Sequence, residues 1–324
     1  MPFLNFLTIF SFREHNPDWK IIFIRPSDKA NVKGEWVSPE HESAIRDQSG
    51  IDYSEHVGEY ADEVWQFDFK EILGDNLEVN DVHKADVIRP YLMHKYGGVW
   101  SDCDIFFLKP MSALNLSEHV WRIQGKELPE SMTVKIGRCL VDIPVELENI
   151  DAAVSHYEIY NEKGDFNQFT GMGDGSPNPH YKGIWRTGMF WSSPDNPMFK
   201  KILEKSVECL DTGQYQSAGP HAIAALWARL QELKNDFPDL NVANFPEQSI
   251  YPYTFNGMTL FWKTNKFNLR ARQSIKENTI GIHWFNGNIF SKKYAGIDSR
   301  TWGKNTTYTE TIKKYKGLYE KYEK

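Results

Sequence analysis

Cysteine is scarce in these 324 residues: Cys103, Cys139 and Cys209 only, odd in number, far apart, with no CxxC pair. That excludes a disulfide framework and a cysteine-based zinc site, and it points to a reducing, cytoplasmic setting. No run approaches eighteen apolar residues, so no membrane-crossing helix is expected. The apolar start, Met1 to Phe12, lacks a basic leader and a small-residue cleavage site, and it runs straight into Arg13-Glu14-His15-Asn16-Pro17. It reads as an amphipathic helix stopped by a proline rather than as a signal peptide. Positive charge is also in deficit, with a net charge of -7. A nucleic-acid backbone is therefore a poor candidate for the main partner. There is no Ser/Gly/Pro-rich linker, internal repeat or low-complexity tract, which favours a single domain over residues 1–324.

What is present fits a folded protein with 40% hydrophobic and 25% charged residues. Aromatics reach 14%, enough to furnish either a ring-rich core or the flat apolar platforms on which sugars rest. The Lys- and Tyr-rich end, Lys313 to Lys324, reads as a solvated terminal helix, with contact to a membrane surface at most peripheral.

The spacing predicts a helix over 3–14, a buried strand over Lys20–Arg25 and a second strand over Glu63–Phe69. Asn80-Asp81 caps a helix whose apolar face is Val82, Ala85, Ile88, Leu92 and Tyr96. Gly97-Gly98 ends it, and Val99–Leu108 is strand-like around Asp102 and Asp104. Helices follow over 196–210 and 220–233, with a short strand over Thr279–Trp284. The order implies an α/β sheet with parallel pairs.

Within a strand, residues two apart face the same way, so Asp102 and Asp104 would share a face inside a hydrophobic run. Two such carboxylates repel unless a cation lies between them, and hard oxygen ligands of this kind suit Mn²⁺ or Mg²⁺ bound to a diphosphate. Asp86 and Arg89, three apart on the preceding helix, form either a surface ion pair or a binding pair, with the carboxylate accepting from sugar hydroxyls.

The stretch His83-Lys84-Ala85-Asp86-Val87-Ile88-Arg89, then Tyr96-Gly97-Gly98-Val99-Trp100-Ser101-Asp102-Cys103-Asp104, resembles the donor-sugar-binding region of glycosyltransferase family 32. That group includes capsular-polysaccharide and mannosyl transferases. Thr187–Pro194, Ser217-Ala218-Gly219-Pro220 and Ile280–Trp284 resemble later segments of the same family. The resemblance implies a GT-A fold, a Rossmann-like mixed sheet flanked by helices. A donor half over about 1–118 would join a smaller acceptor half over about 119–300, with a terminal helix beyond it. It implies a metal-dependent, retaining transfer of a hexose or N-acetylhexosamine. The donor would be a nucleotide-sugar, a UDP-sugar ahead of a GDP-sugar, and the acceptor a glycan or lipid-linked glycan. Asp86 and Arg89 would contact the donor sugar, Asp102 the ribose and the metal shell, and Asp104 the metal. His283 would complete the metal site, and Trp284 would pack over the donor as the loop Phe285–Asn288 closes. No catalytic base is legible; Asp174 and His221 are the candidates. Family members usually begin with a strand that this sequence, starting at Met1-Pro2-Phe3, does not show. Weaker nucleotide binding and an exposed sheet edge are the expected consequences. Two other readings stay open: a metal-dependent nucleotide-sugar hydrolase, and a non-catalytic glycan- or nucleotide-binding relative of the transferases.

Overall fold

A computed structural model of the chain describes residues 1–27, 52–74, 79, 81–114, 120–121, 151–158, 183–214, 216–227, 230–263, 274–288, 291 and 306–322. Asp174 and the glycine-rich loop around it lie outside the described residues.

Helix α1 spans Phe3–His15. Arg13 and His15 in its last turn complement the negative end of its dipole, and Pro17 follows the C-cap Asn16. Strands β1 (Ile22–Pro26) and β2 (Glu63–Phe67) pair in parallel. β1 is half-buried rather than buried, and among the described residues it has a sheet neighbour on one side only. After the single turn α2 (Lys70–Leu73), helix α3 runs over Asp81–Lys95 and the strands β3 (Gly98–Ser101) and β4 (Ile105–Phe107) follow. Next come β5 (Val120–Trp121), β6 (Ala152–Glu158), β7 (Gly183–Ser192), α4 (Pro197–Glu208), α5 (Pro220–Leu226), α6 (Leu230–Asp236) and β8 (Val242–Asn244). The chain closes with α7 (Met258–Trp262), β9 (Gly281–His283), α8 (Thr307–Ile312) and α9 (Lys316–Tyr322).

This is the expected mixed α/β architecture of GT-A type, with its strands divided among three small sheets. The central one has the order β3-β7-β6-β8-β5, and β1-β2 and β4-β9 stand apart from it. Among the described residues, β1·β2 and β6·β8 are parallel and the other pairs antiparallel. Segments from early and late in the chain interlock, since β3 pairs with β7 and β4 with β9. β4 therefore divides its side chains between two cores. Phe106 packs with α1, Trp262 and Trp284, whereas Ile105 and Phe107 pack with Met189, Phe245 and Tyr251. The third core lies between α3, α4, α5 and the central sheet.

Three expectations are corrected. The helix expected over 220–233 is two helices: Trp227 leaves α5 in an extended conformation, its carbonyl accepting from Trp185 Nε1 and its own Nε1 donating to Asp236 Oδ2 (both 2.8 Å). The C-terminal helix is not simply solvated. Tyr315 and Tyr319 are buried against α1, the Tyr315 hydroxyl donating to Glu14. On α3 the buried apolar side chains are Val87, Ile88, Leu92 and Met93, while Tyr96 is exposed. His83, Lys84, Asp86 and Arg89 are buried with them, so charge is carried inward along this helix. Polar side chains of α1 lie along the outer edge of β4.

The double glycine after α3 behaves as its sequence implies. Gly97 and Gly98 have φ of 68° and 87°. They differ in surroundings: a Cβ on Gly97 would lie 2.6 Å from the Pro194 nitrogen and 2.7 Å from the Ser192 carbonyl, whereas one on Gly98 meets nothing within 4 Å. Gly98→Ala should cost only the left-handed penalty, about 1–2 kcal/mol. Gly97→Ala should add the crowding of fixed backbone, for a total of about 3 kcal/mol or more. Urea unfolding of the two variants checks this, and equal losses would refute the close approach of α3's end to residues 192–194.

Candidate metal and donor site

Asp102-Cys103-Asp104 is a turn between two strands of different sheets, not one continuous strand. The carboxylates are thus brought together by turn geometry rather than by strand alternation, a correction to the expected reason for their proximity. The turn is held from several directions. The Asp102 N–H donates to the Gly188 carbonyl of β7 (2.8 Å), and the Asp104 carbonyl accepts from the Trp284 N–H after β9 (2.9 Å). Asn5 Nδ2, from α1, donates to the Cys103 carbonyl (2.9 Å). The side chains are fixed too. Trp100 Nε1 donates to Asp102 Oδ1 (2.7 Å), and the Asn286 N–H donates to Asp104 Oδ2 (2.7 Å).

β9 delivers His283 opposite Ile105, with Nε2 3.2 Å from Asp104 Oδ1. Ligand atoms of Asp102, Asp104 and His283 lie within 4.8 Å of one another. Asp104 Oδ1 is buried and accepts no hydrogen bond. An orphaned carboxylate oxygen beside a second carboxylate and an imidazole fits a hard divalent cation. Burial raises Asp104 to about 6, and burial also raises Asp102, with the Arg89 charge opposing. Burial and the charges of Arg186 and Arg89 outweigh Asp102's opposing pull and push His283 down to about 4. The imidazole is neutral at pH 7 and has a lone pair to give. Its Nδ1 lies 3.2 Å from the Phe285 nitrogen, and its Nε2 faces Asp104 Oδ1.

The Asp86–Arg89 pair is a buried one, not the surface pair its spacing allows. Arg89 Nη2 is 2.8 Å from Asp86 Oδ1, and the side chains are only 7% and 4% exposed. The guanidinium is further fixed by the Ala85 carbonyl (3.0 Å, from Nε) and the Thr187 carbonyl (2.7 Å, from Nη1). It also lies 3.8 Å from Asp102 Oδ1, linking the pair to the acidic turn. Asp86 Oδ2 is buried without a hydrogen-bond partner, and burial raises this carboxyl to about 6 despite Arg89. The Gly219-Pro220 turn covers it so closely that a Cβ on Gly219 would lie 2.6 Å from Asp86 Oδ1.

Among the other expected site residues, Trp284 is displaced from its role. It is fully buried, stacked on Phe106 at 6.2 Å and set edge-on to Trp262, and so belongs to the core beneath the turn rather than to a ligand-facing wall. His221 sits in the first turn of α5, two residues from Gly219, with its pKa lowered by burial. Three contributors were not read from the sequence. Trp100 orients Asp102. Tyr251 lies over the His283 ring (5.0 Å) and accepts from the Gly188 N–H (3.1 Å). Gly188 itself leaves no room for a side chain, since its Cβ would lie 2.6 Å from the Tyr251 hydroxyl and 2.9 Å from His283 Nε2. Trp100, two residues before Asp102, and Gly188, inside a quoted segment, were within reach; Tyr251 had no local signal.

Residues 5–121 match the family model described as a glycosyltransferase sugar-binding region containing a DXD motif. The matched stretch contains Asp86, Arg89, Asp102 and Asp104, and His283 joins them from beyond it. The match supports a glycosyltransferase, and members of this class typically bind a divalent metal. No curated protein matches the chain. Among the described residues no helix is long and apolar enough to cross a membrane.

Because Asp104 holds its proton up to about 6, a metal bound there would compete with protons. Mn²⁺ affinity should be flat above pH 7 and fall below pH 6 by up to about tenfold per pH unit for each proton displaced. Asp104→Asn should abolish the binding. Titrations at several pH values check both, and a pH-independent affinity between 5 and 7 would remove Asp104 from the ligand set.

Proposed function

We propose that this chain is a metal-dependent, retaining glycosyltransferase that moves a hexose or N-acetylhexosamine from a nucleotide-sugar to a glycan acceptor, and that residues 1–324 act as one domain. The observation that carries the reading is the convergence of two orphaned buried carboxylate oxygens, Asp86 Oδ2 and Asp104 Oδ1, in one cluster linked by Arg89 and Asp102. Unsatisfied buried acceptors are costly unless a ligand completes them. One calls for a hydroxyl and the other for a cation, and a nucleotide-sugar with its divalent ion supplies both.

Asp102, Asp104 and His283 would hold Mn²⁺ or Mg²⁺, which when bound neutralises charge on a departing diphosphate as a Lewis acid. Asp86 accepts a hydroxyl of the donor sugar through Oδ2, with Arg89 locking its other oxygen so that the sugar is met by a fixed acceptor. Trp100 and Arg89 hold Asp102 in place. Phe285, at φ 51° with its N–H on His283, starts the loop that would close over the donor and exclude water. In a front-face transfer the bond from the anomeric carbon to the phosphate oxygen breaks, the acceptor oxygen bonds to that carbon, and the acceptor's proton passes to the departing phosphate. His221 and Asp174 remain the candidates for a carboxylate or imidazole that assists on the acceptor side. A UDP-sugar is favoured over a GDP-sugar, and a lipid-linked glycan is a suitable acceptor.

The test is release of nucleoside diphosphate from a panel of UDP- and GDP-sugars with Mn²⁺, with and without glycan acceptors. Acceptor-stimulated release from one donor is expected, reduced by about a hundredfold or more in Asp104→Asn and in Asp86→Asn. Release that no acceptor stimulates would favour a hydrolase. Donor binding without release would favour a non-catalytic binding protein.

A further inference from the structure

Among the described residues, β4 pairs with one strand, β9. In an antiparallel pair, alternate N–H groups point away from the partner. Here those of Ile105 and Phe107 point outward, and both meet side chains of α1: Ile105 N–H donates to Thr8 Oγ1 (3.2 Å) and Phe107 N–H to Ser11 Oγ (3.0 Å). Farther along, the Met111 N–H donates to Asn16 Oδ1 (2.8 Å). At the other end Asn5 Nδ2 donates to the Cys103 carbonyl (2.9 Å). Asn5, Thr8, Ser11 and Asn16 are all buried. One helix thus lays a row of polar side chains along residues 103–111 and satisfies them as a neighbouring strand would.

Three of the four serve ordinary backbone. Thr8 and Ser11 complete the strand edge, and Asn16 serves the turn after it. Asn5 differs in what it grips. The Cys103 carbonyl belongs to the peptide between Cys103 and Asp104, and the tilt of that peptide sets how far apart the two aspartates stand and how they are angled. Asn5 does this at a cost: its Oδ1 is buried without a partner. An apolar side chain of the same shape would escape that penalty but leave the Cys103 carbonyl without its donor. The two costs oppose each other, so the geometry of the turn gives a reason for asparagine that stability alone does not.

We propose that Asn5 is a positioning residue for the acidic turn, its amide setting the separation and angle of Asp102 and Asp104 so that they meet one cation. This rests on the reading of the site given under Proposed function. Partners that orient a metal's ligands are typically worth about 10–100-fold in affinity.

The test is Mn²⁺ binding by the full chain, read from the electron paramagnetic resonance signal of free Mn²⁺, with thermal unfolding in metal-free buffer alongside. Asn5→Leu keeps the volume and removes the donor. It should weaken Mn²⁺ by about tenfold or more. Thr8→Val removes a neighbouring hydrogen bond of the same row and should lower the unfolding temperature while leaving Mn²⁺ affinity at the parent value. Asn5→Gln restores an amide and should recover most of the affinity. If Asn5→Leu does not fold, Asn5→Ser, too short to reach the carbonyl, replaces it with the same expected loss. Parent-like affinity in the variant lacking the amide, or an equal loss in Thr8→Val, would overturn the assignment. Failure of the parent chain to bind Mn²⁺ would instead overturn the reading of the site, and the positioning role with it.

Discussion

Two like charges held side by side govern this molecule. Asp102 and Asp104 sit in a turn whose main chain is bonded to β7, to the residue after β9 and to α1. The turn cannot relax to separate them, because each of those bonds belongs to a different element. A fold that pins two carboxylates together raises their proton affinity or recruits a cation, and both consequences follow from the same burial. The elevated Asp104 and the depressed His283 are two faces of one arrangement: burial disfavours charge on the oxygens and on the nitrogen alike.

The surrounding architecture makes sense as support for that constraint. β3 and β4 leave the turn in two different sheets, and each is anchored by a partner from the far end of the chain. Moving one aspartate therefore means moving a sheet. Gly188 lets β7 approach His283 and Tyr251 without a side chain between them, and Gly219 does the same for the lid over Asp86. The aromatic surplus is spent mainly in the interior. Phe106, Trp262, Trp284 and Tyr308 pack together beneath the turn, giving it a rigid floor rather than a sugar-stacking wall.

Much of this was legible in the sequence, for local reasons. The helix before the double glycine, the double glycine itself and the acidic pair are encoded within some twenty consecutive residues, where left-handed glycine and charge spacing act at short range. His283 was expected from the resemblance of Ile280–Trp284 to a later segment of the family, and β9 brings it beside Asp104. What escaped was set by tertiary contact. Periodicity placed Tyr96 on the buried face of α3, yet the helix turns its charged residues inward and leaves Tyr96 at the rim. Nothing local in Pro220–Leu233 announces that Trp227 is drawn out of the helix by bonds to Trp185 and Asp236. Trp284 looks like a ligand platform beside a histidine and proves to be core, because strand alternation sends it to the opposite side of β9 from His283.

α1 shows how a polar pattern can be misread when its partner is distant. Asn5, Thr8, Ser11 and Asn16 interrupt an otherwise apolar helix and look like its solvent face. All four are buried, because the surface they meet is the unpaired edge of β4, where the acceptable neighbour is one that offers hydrogen bonds. An apolar helix face set there would leave the N–H groups of Ile105 and Phe107 without partners, at a cost of about 1–3 kcal/mol each. The polar row therefore follows from the edge it faces: β9 holds β4 along one side, and here a helix supplies hydrogen bonds along the other.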